Sequence, residues 1–498
     1  MTDATQPRRQ LSLFDSVAII VGIIIGSGIY ETTPLIAANV AGPGWLLLVW
    51  VLGAVLSLAG ALCYAELITR YPLDGGDYVY LNQAFGGRWG FLFAWAQFWV
   101  VRPGSIGAMA YVFGQYANRL LSLDGLVPYP QTVYACAAIT LPTLLNMAGA
   151  KEGKWTQNVL SAAKVLGLLA LFVVAVIGSI RLSQADKSAA GEAPVPAVQH
   201  NAAEGGAADG TTENEPAGDE SAGEATAAPV QSFGLAMILV LFAYGGWNEI
   251  AFVAAELREP RRNILPALVI GLAVVAVVYV LTVCAFLAVL GFEGVRQPGV
   301  AANTLERVMG TAGAKAISLL VCISALGAVA GQIFAGSRIF YAFGREHRIF
   351  APLGVWNARF DTPLRSLAAQ GLITLMLAVL FGTPLWAHLV GDASAARQAG
   401  QAAFEPLVRF TTPAVWFFFL LVGLALFKLR DARQGERDAF RVPWYPFTPF
   451  VFCLSCVALL QSSVLYAYHH RSYEAFWSLG ILGVGLVLAL FSRRQPSE

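Results

Sequence analysis

The sequence predicts an all-helical integral membrane protein, and three observations carry that expectation. Apolar residues fill 57% of the 498 positions and charged residues only 13%, where soluble globular chains carry roughly 25% charge. The mean hydropathy is +0.62. The chain also holds about twelve apolar runs near the ~20 residues that a helix needs to cross the hydrocarbon core. In order they cover residues 14–40, 43–66, 90–117, 131–148, 158–180, 233–252, 266–290, 314–343, 365–382, 407–428, 446–467 and 474–492.

An even number of spans puts both termini on one side. About twenty Lys and Arg residues fall in the segments on the side of the N-terminus, against about nine on the other, with Arg102, Lys164 and Arg338 in or near spans. Basic residues favour the cytoplasm, so both termini are expected there, in a multi-pass protein of the cytoplasmic membrane. Arg8 and Arg9 lead into the first run with no small-residue cleavage site, so no cleavable signal peptide is expected.

Composition excludes several functions. A formal charge of +1 offers no field for nucleic acid. The six cysteines, Cys63, Cys136, Cys284, Cys322, Cys453 and Cys456, all lie in apolar runs, where a thiol acts as a small hydrophobe. There is no P-loop, no HExxH and no GxSxG elbow. An enzyme is not expected, nor a cofactor, nor a metal; His469 and His470 beside a helix end are not read as ligands. Residues 183–231, including AAEGGAADGTTENEPAGDESAGEATAAP, carry almost no large apolar side chain, and an acidic, disordered extracytoplasmic tether is expected there.

Two runs are interrupted in a way that points to a binding site. The first contains VGIIIGSGIYETTP, residues 21–34, and the sixth LFAYGGWNEIAF, residues 241–252. Glycine in a helix interior costs about 1 kcal/mol relative to alanine, and in lipid a freed backbone group is tolerated only inside protein or beside a cavity. Gly-interrupted segments at matching places in two halves mark the midplane site of secondary transporters, whereas single clusters also serve close helix packing. At the first break, N–H groups near Ser27, Gly28 and Ile29 suit a carboxylate. Carbonyls near Ile23 and Ile24, and near Phe242, Ala243 and Tyr244, suit an ammonium. A zwitterionic α-amino acid carries both charges, with Phe242 and Tyr244 as an apolar wall or lid.

The residues that carry this pattern, GSGIY at 26–30 and FAYGGWN at 242–248, resemble the amino acid–polyamine–organocation superfamily, most closely bacterial relatives of the L-type amino acid transporters. ALCYAEL at 61–67, GGDYVYL at 75–81, RPGS at 102–105, AAELREPRRNILPAL at 254–268, GSRIFYAFGREHRIF at 336–350 and FRVPWYPFTP at 440–449 agree in order. The resemblance covers about residues 12–490 apart from the 183–231 insert.

It implies a fold similar to the leucine transporter, two inverted five-helix repeats plus two peripheral helices, with helices 1 and 6 unwound in mid-membrane. The divisions are then a tail at 1–13, a first repeat at 14–182, the loop at 183–231, a second repeat at 232–430, the last two spans at 431–492 and a tail at 493–498. The resemblance also implies that substrate carboxylate meets the backbone of Ser27 and Gly28, with Gly26 and Ile29 beside them among the substrate-binding residues. The ammonium meets carbonyls of Ile24, Phe242 and Gly245, and Phe242 gates the site. Lys164 matches a lysine that packs against the unwound first helix, where sodium-coupled relatives bind a cation. As a coupling residue it is either a charged strut or a proton carrier.

Asn248 is a candidate side-chain contact. Glu249 departs from the L-type pattern and either favours a cationic substrate side chain or serves packing. Arg102 lines a vestibule or pairs with Glu66; Gln332 and Ser324 line a pathway or join helices. Animal L-type carriers join a glycoprotein through a cysteine between spans three and four. The loop ANRLLSLDGLVPYP at 117–130 has none, so no such disulfide-linked partner is expected. The expected function is secondary transport of amino acids by alternating access, as exchanger or proton-coupled symporter. A channel, an amino acid sensor without flux, and a polyamine or cationic amino acid carrier are the alternatives.

Overall fold

A computed structural model describes residues 12–26, 28–71, 75–148, 153–191, 232–357, 359–360, 362–390, 403–432, 440–469 and 473–491. Among these no strand forms, only an isolated bridge between Asn357 and Thr362. The expectations for Ser27, for 192–231 and for residues 1–11 and 493–498 lie outside the described residues, while Ser12 and Leu13, expected in the tail, form the cap and first turn of α1.

α1 (Leu13–Ile24) begins at a capping box, Ser12 Oγ accepting from Asp15 N–H at 3.2 Å and Asp15 Oδ2 accepting from Ser12 N–H at 3.0 Å. α2 (Gly28–Ala38) follows, bent by 47° from α1. α3 (Pro43–Arg70) starts with proline in its first turn, where no N–H is missed. α4 (Asp77–Phe85) and α5 (Gly87–Ala96) lead into a π turn at Gln97–Val101 and then α6 (Arg102–Leu120). The π turn has a local cause: Pro103 has no N–H to return to the Trp99 carbonyl, so the ladder widens ahead of it.

α7 (Pro130–Met147) and α8 (Gly153–Gly191) complete the first half. α8 runs on into the segment expected to be a tether. The stretch LSQADKSAA is rich in good helix formers and propagates the helix to Gly191. The second half comprises α9 (Phe233–Ala243), a 3-10 segment at Trp247–Glu256, α10 (Pro260–Val295), α11 (Val300–Met309), α12 (Thr311–Glu346), α13 (Leu364–Gly382), α14 (Leu385–Val390) and α15 (Phe404–Ala432). α16 (Phe447–His469) and α17 (Glu474–Phe491) close the chain.

Among the described residues, 9 helices are long and apolar enough to cross a membrane, or 10 if α1 and α2 form one bent span. The expected runs at 90–117 and 131–148 are helical but do not qualify. The first is divided by the π turn and carries Arg102 and Gln115; the second is diluted by Gln131, Thr132, Thr140, Thr143 and Asn146. Large apolar side chains such as Val55, Leu145, Leu166, Leu372 and Val487 point outward, each more than half exposed. In water such a surface would associate; against lipid it is the expected outer face.

α1, α2 and α9 lie inside, touching α3, α8 and α10. α6 packs against α12, α7 and α15, and α16 and α17 lean on α15. At the end of the bundle where α3 finishes, buried Glu66 pairs with Arg70 at 3.0 Å and Arg430 at 3.4 Å and accepts from Val442 N–H at 2.8 Å. That network ties α3 to α15 and to the segment entering α16.

Candidate functional site

The site is built where two helices stop. Ile25 N–H still reaches Val21 O at 2.8 Å, but Gly26 N–H folds back to Ile24 O at 2.7 Å, so α1 ends there. α9 ends in the same way. Tyr244 N–H reaches Val240 O at 2.9 Å, and Gly245 N–H turns to Phe242 O at 3.0 Å.

Two glycines let the breaks meet. A Cβ on Gly28 would stand 3.1 Å from Ala243 Cα, closer than a real Cβ comfortably sits, so the start of α2 lies directly against the end of α9. Gly246 has φ +110, a conformation that L side chains rarely adopt, and a Cβ there would be 2.7 Å from Ile23 Cγ2. The end of α1 thus packs on the turn after α9. The contact sets opposite partial charges side by side: first-turn N–H groups of Gly28, Ile29 and Tyr30, and last-turn carbonyls of Ile24, Phe242 and Ala243.

The surroundings are mostly apolar. Met109 Sδ of α6 lies 3.8 Å from a Cβ built on Gly26. The Phe242 ring meets Phe404 of α15 edge-on, with centroids 5.9 Å apart. Asn248, half-buried, opens the 3-10 segment that follows. The Tyr244 ring is fully buried between Trp50 and Tyr279, at 5.8 and 5.3 Å, so it packs α9 on α3 and α10 and is no lid.

Several groups already serve the freed carbonyls. Lys164, 2% exposed, donates from Nζ to Gly22 O at 3.3 Å. The Tyr279 hydroxyl lies 2.8 Å from Ile24 O and 3.2 Å from Ala243 O. Tyr279, Trp50, Met109 and Phe404 were not singled out by the sequence reading. A phenol in the run VVAVVYVLTV at 274–283 was the available signal, since a buried hydroxyl in an apolar helix needs a partner.

Arg102 does not pair with Glu66. Glu66 is taken by Arg70 and Arg430, while Arg102 bonds Glu249 at 2.9 Å, joining α6 to the 3-10 segment; its side chain is 4% exposed. Glu249 is therefore committed to an arginine. Asp77, at the start of α4 and outside the spans, is 2% exposed. Burial pushes its carboxyl up to about 7, and Glu249 adds to this, while the Tyr64 hydroxyl and Arg102 oppose it. Ser324 is buried in α12, and Gln332 O lies 3.4 Å from the Gln370 amide, which joins α12 to α13.

Residues 11–487 match a family model described as amino acid permease. The chain belongs to the amino acid permease family. It is a membrane transporter of that family and not an enzyme. The permease is 30% identical to the b(0,+)-type amino acid transporter 1 of Rattus norvegicus over 463 residues, 93% of this chain and 84% of the relative. It is 26% identical to the serine/threonine exchanger SteT of Bacillus subtilis (strain 168) over 462 residues, 92% of each chain. It is also 26% identical to the cystine/glutamate transporter of Homo sapiens over 464 residues, 93% of this chain and 81% of the relative.

Proposed function

We propose that this permease exchanges zwitterionic α-amino acids across the cytoplasmic membrane by alternating access, with both termini inside. The observation that carries the site is the contact of Gly28 with Ala243, which sets a helix start beside a helix end. Substrate carboxylate takes the N–H groups at Ser27, Gly28 and Ile29. The ammonium takes the remaining lone pairs of Ile24, Phe242 and Ala243, with the backbone at Gly26 and Gly245 and the side chain of Asn248 completing the shell. Phe242 and Phe404 form the outer lid; Arg102 with Glu249, and Ile23 on Gly246, close the inner side. Two inverted five-helix repeats and two peripheral helices, about twelve spans in all, carry this machinery.

Exchange is favoured over symport by two supports. A relative along the full length is named an exchanger. Lys164 already spends its ammonium on Gly22 O, which suits a fixed strut. Proteoliposomes test both halves of the proposal. Uptake of a labelled mixture of the protein amino acids is expected to need unlabelled substrate inside and to ignore an imposed pH gradient. Gly28→Val is expected to abolish uptake while keeping a monodisperse protein, because its side chain drives into Ala243. Gradient-driven uptake without internal substrate refutes exchange, and wild-type uptake by the variant refutes the site.

A further inference from the structure

We propose that Glu31 and Gln115 form the latch that holds the outer entrance of the site shut, with Glu31 as a positioning residue; the inference rests on the site reading above. Glu31 stands in the first turn of α2, three residues after Gly28, and Gln115 lies near the end of α6. With its amide nitrogen turned toward the carboxylate, Gln115 donates to both Glu31 oxygens, at 2.9 and 3.2 Å. Arg119, one turn further along α6, adds its charge to the same carboxylate and lies over the Tyr116 ring, 5.6 Å from the centroid.

The placement repeats at the other break. Glu249 follows Gly246 by three residues, as Glu31 follows Gly28, and it too reaches α6, through Arg102 at 2.9 Å. Along α6, Arg102 precedes Met109 by seven residues and Gln115 follows it by six, so the two carboxylates grip this helix roughly 20 Å apart. Met109, beside Gly26, falls between them. Each break is thus followed, within a turn, by a carboxylate fastened to α6, one on either side of the site. Alternating access requires one fastening to part while the other holds, and here both are made. A hydrogen bond to a charged group is stronger than a neutral one. Parting α2 from α6 gives up that bond, which sets how much of the carrier stands open to the outside, and closing behind a substrate regains it. Glu31 acts through α2, whose first-turn N–H groups hold the substrate carboxylate.

Glu31→Leu and Gln115→Leu each remove one half of the latch, and Glu31→Gln with Gln115→Glu exchanges the halves and keeps the pair. Right-side-out membrane vesicles holding the full chain are loaded with unlabelled protein amino acids and given the labelled mixture outside. Either single variant is expected to lower the external half-saturation concentration about tenfold and the maximal exchange rate by a similar factor, since outward-open carrier accumulates and closes slowly. The exchanged pair is expected to return both to within about twofold of wild type. A lower maximal rate at unchanged half-saturation marks a merely structural role and overturns the proposal. An exchanged pair no better than the single variants overturns it as well. Amide hydrogen exchange of the solubilised full chain gives a reading independent of transport. In Gln115→Leu, peptides covering 28–38 are expected to quicken about tenfold and those covering 244–256 to keep the wild-type rate. Wild-type rates in 28–38 refute the latch even where Glu31→Leu does not fold. Flux through Gly28→Val would sink the binding-site reading but leave the hydrogen-exchange result standing, so the two failures are distinguishable.

Discussion

Asp77→Asn removes a carboxyl that the fold holds away from water and near another carboxylate. In the folded chain burial raises this group to about 7, against 3.8 for an ordinary aspartate. Below pH ~3.8 the group is neutral in both states and costs nothing. As the pH rises the unfolded chain ionises first, so the folded state holds the extra proton and loses stability until the pH passes about 7. The shift of about three units corresponds to roughly 4 kcal/mol between acid and neutral conditions.

Asparagine keeps the shape and never ionises. The net expectation is that the variant gains about 4 kcal/mol on wild type in moving from pH 4 to pH 8. With ~2.1 cal/mol/K per residue of unfolding entropy, a chain of this length shifts by about 4 °C. The assay is the apparent melting midpoint in detergent, read from the fluorescence of the 12 tryptophans at each pH. The difference between variant and wild type is the quantity read, because it cancels the other titrating carboxylates. A difference equal at pH 4 and pH 8 refutes the argument that Asp77 is buried against its own charge.

Two further substitutions probe the polar groups around the breaks. Glu249→Gln leaves the Arg102 guanidinium, 4% exposed, without this counter-charge; a loss of about 3 kcal/mol is expected, and Arg102→Met with Glu249→Gln is expected to recover most of it. A double variant no more stable than Glu249→Gln, by melting midpoint, would show the pair to be unimportant. Lys164→Met keeps the length of the side chain and removes the bond to Gly22 O. Exchange is expected to slow at least about tenfold with its pH profile unchanged in shape, and a profile that flattens would mark the lysine as a proton carrier instead.

Membership in a helical membrane class was legible from composition alone, because nothing else makes 57% apolar residues soluble in their surroundings. The two breaks were legible too, since Gly28, Gly245 and Gly246 mark places where backbone must approach backbone or turn left-handed. Side-chain partners were not. Which carboxylate meets Arg102 depends on the π turn before Pro103, which re-aims the helix, and periodicity carries no trace of it. By its position beside Phe242, Tyr244 reads as an apolar wall or lid. Yet Gly53 of α3 opens the space that its ring fills, and that complementarity lies almost two hundred residues away. The extension of α8 has a simpler reason: residues 183–191 adjoin the acidic insert in sequence, but their own composition favours helix.

The division of labour at the breaks bears on what the permease can carry. Carbonyls freed at the ends of α1 and α9 have donors from the protein itself: Lys164 on Gly22, Gly26 and Tyr279 on Ile24, Gly245 on Phe242, Tyr279 on Ala243. The first-turn N–H groups of α2 have no intrahelical acceptor, as at any helix start. At the proposed site the carbonyls are thus largely answered by donors of the protein, whereas the first-turn N–H groups of α2 have no acceptor within their own helix. A ligand that brings only ammonium groups competes with lysine and tyrosine for acceptors already in use. One that brings a carboxylate meets donors that nothing in α2 can satisfy. The ammonium then serves as the second, weaker contact, drawing on the lone pair that each carbonyl retains. On this account the carboxylate supplies most of the binding energy, and amino acids are preferred over polyamines for a reason rooted in where the helices end.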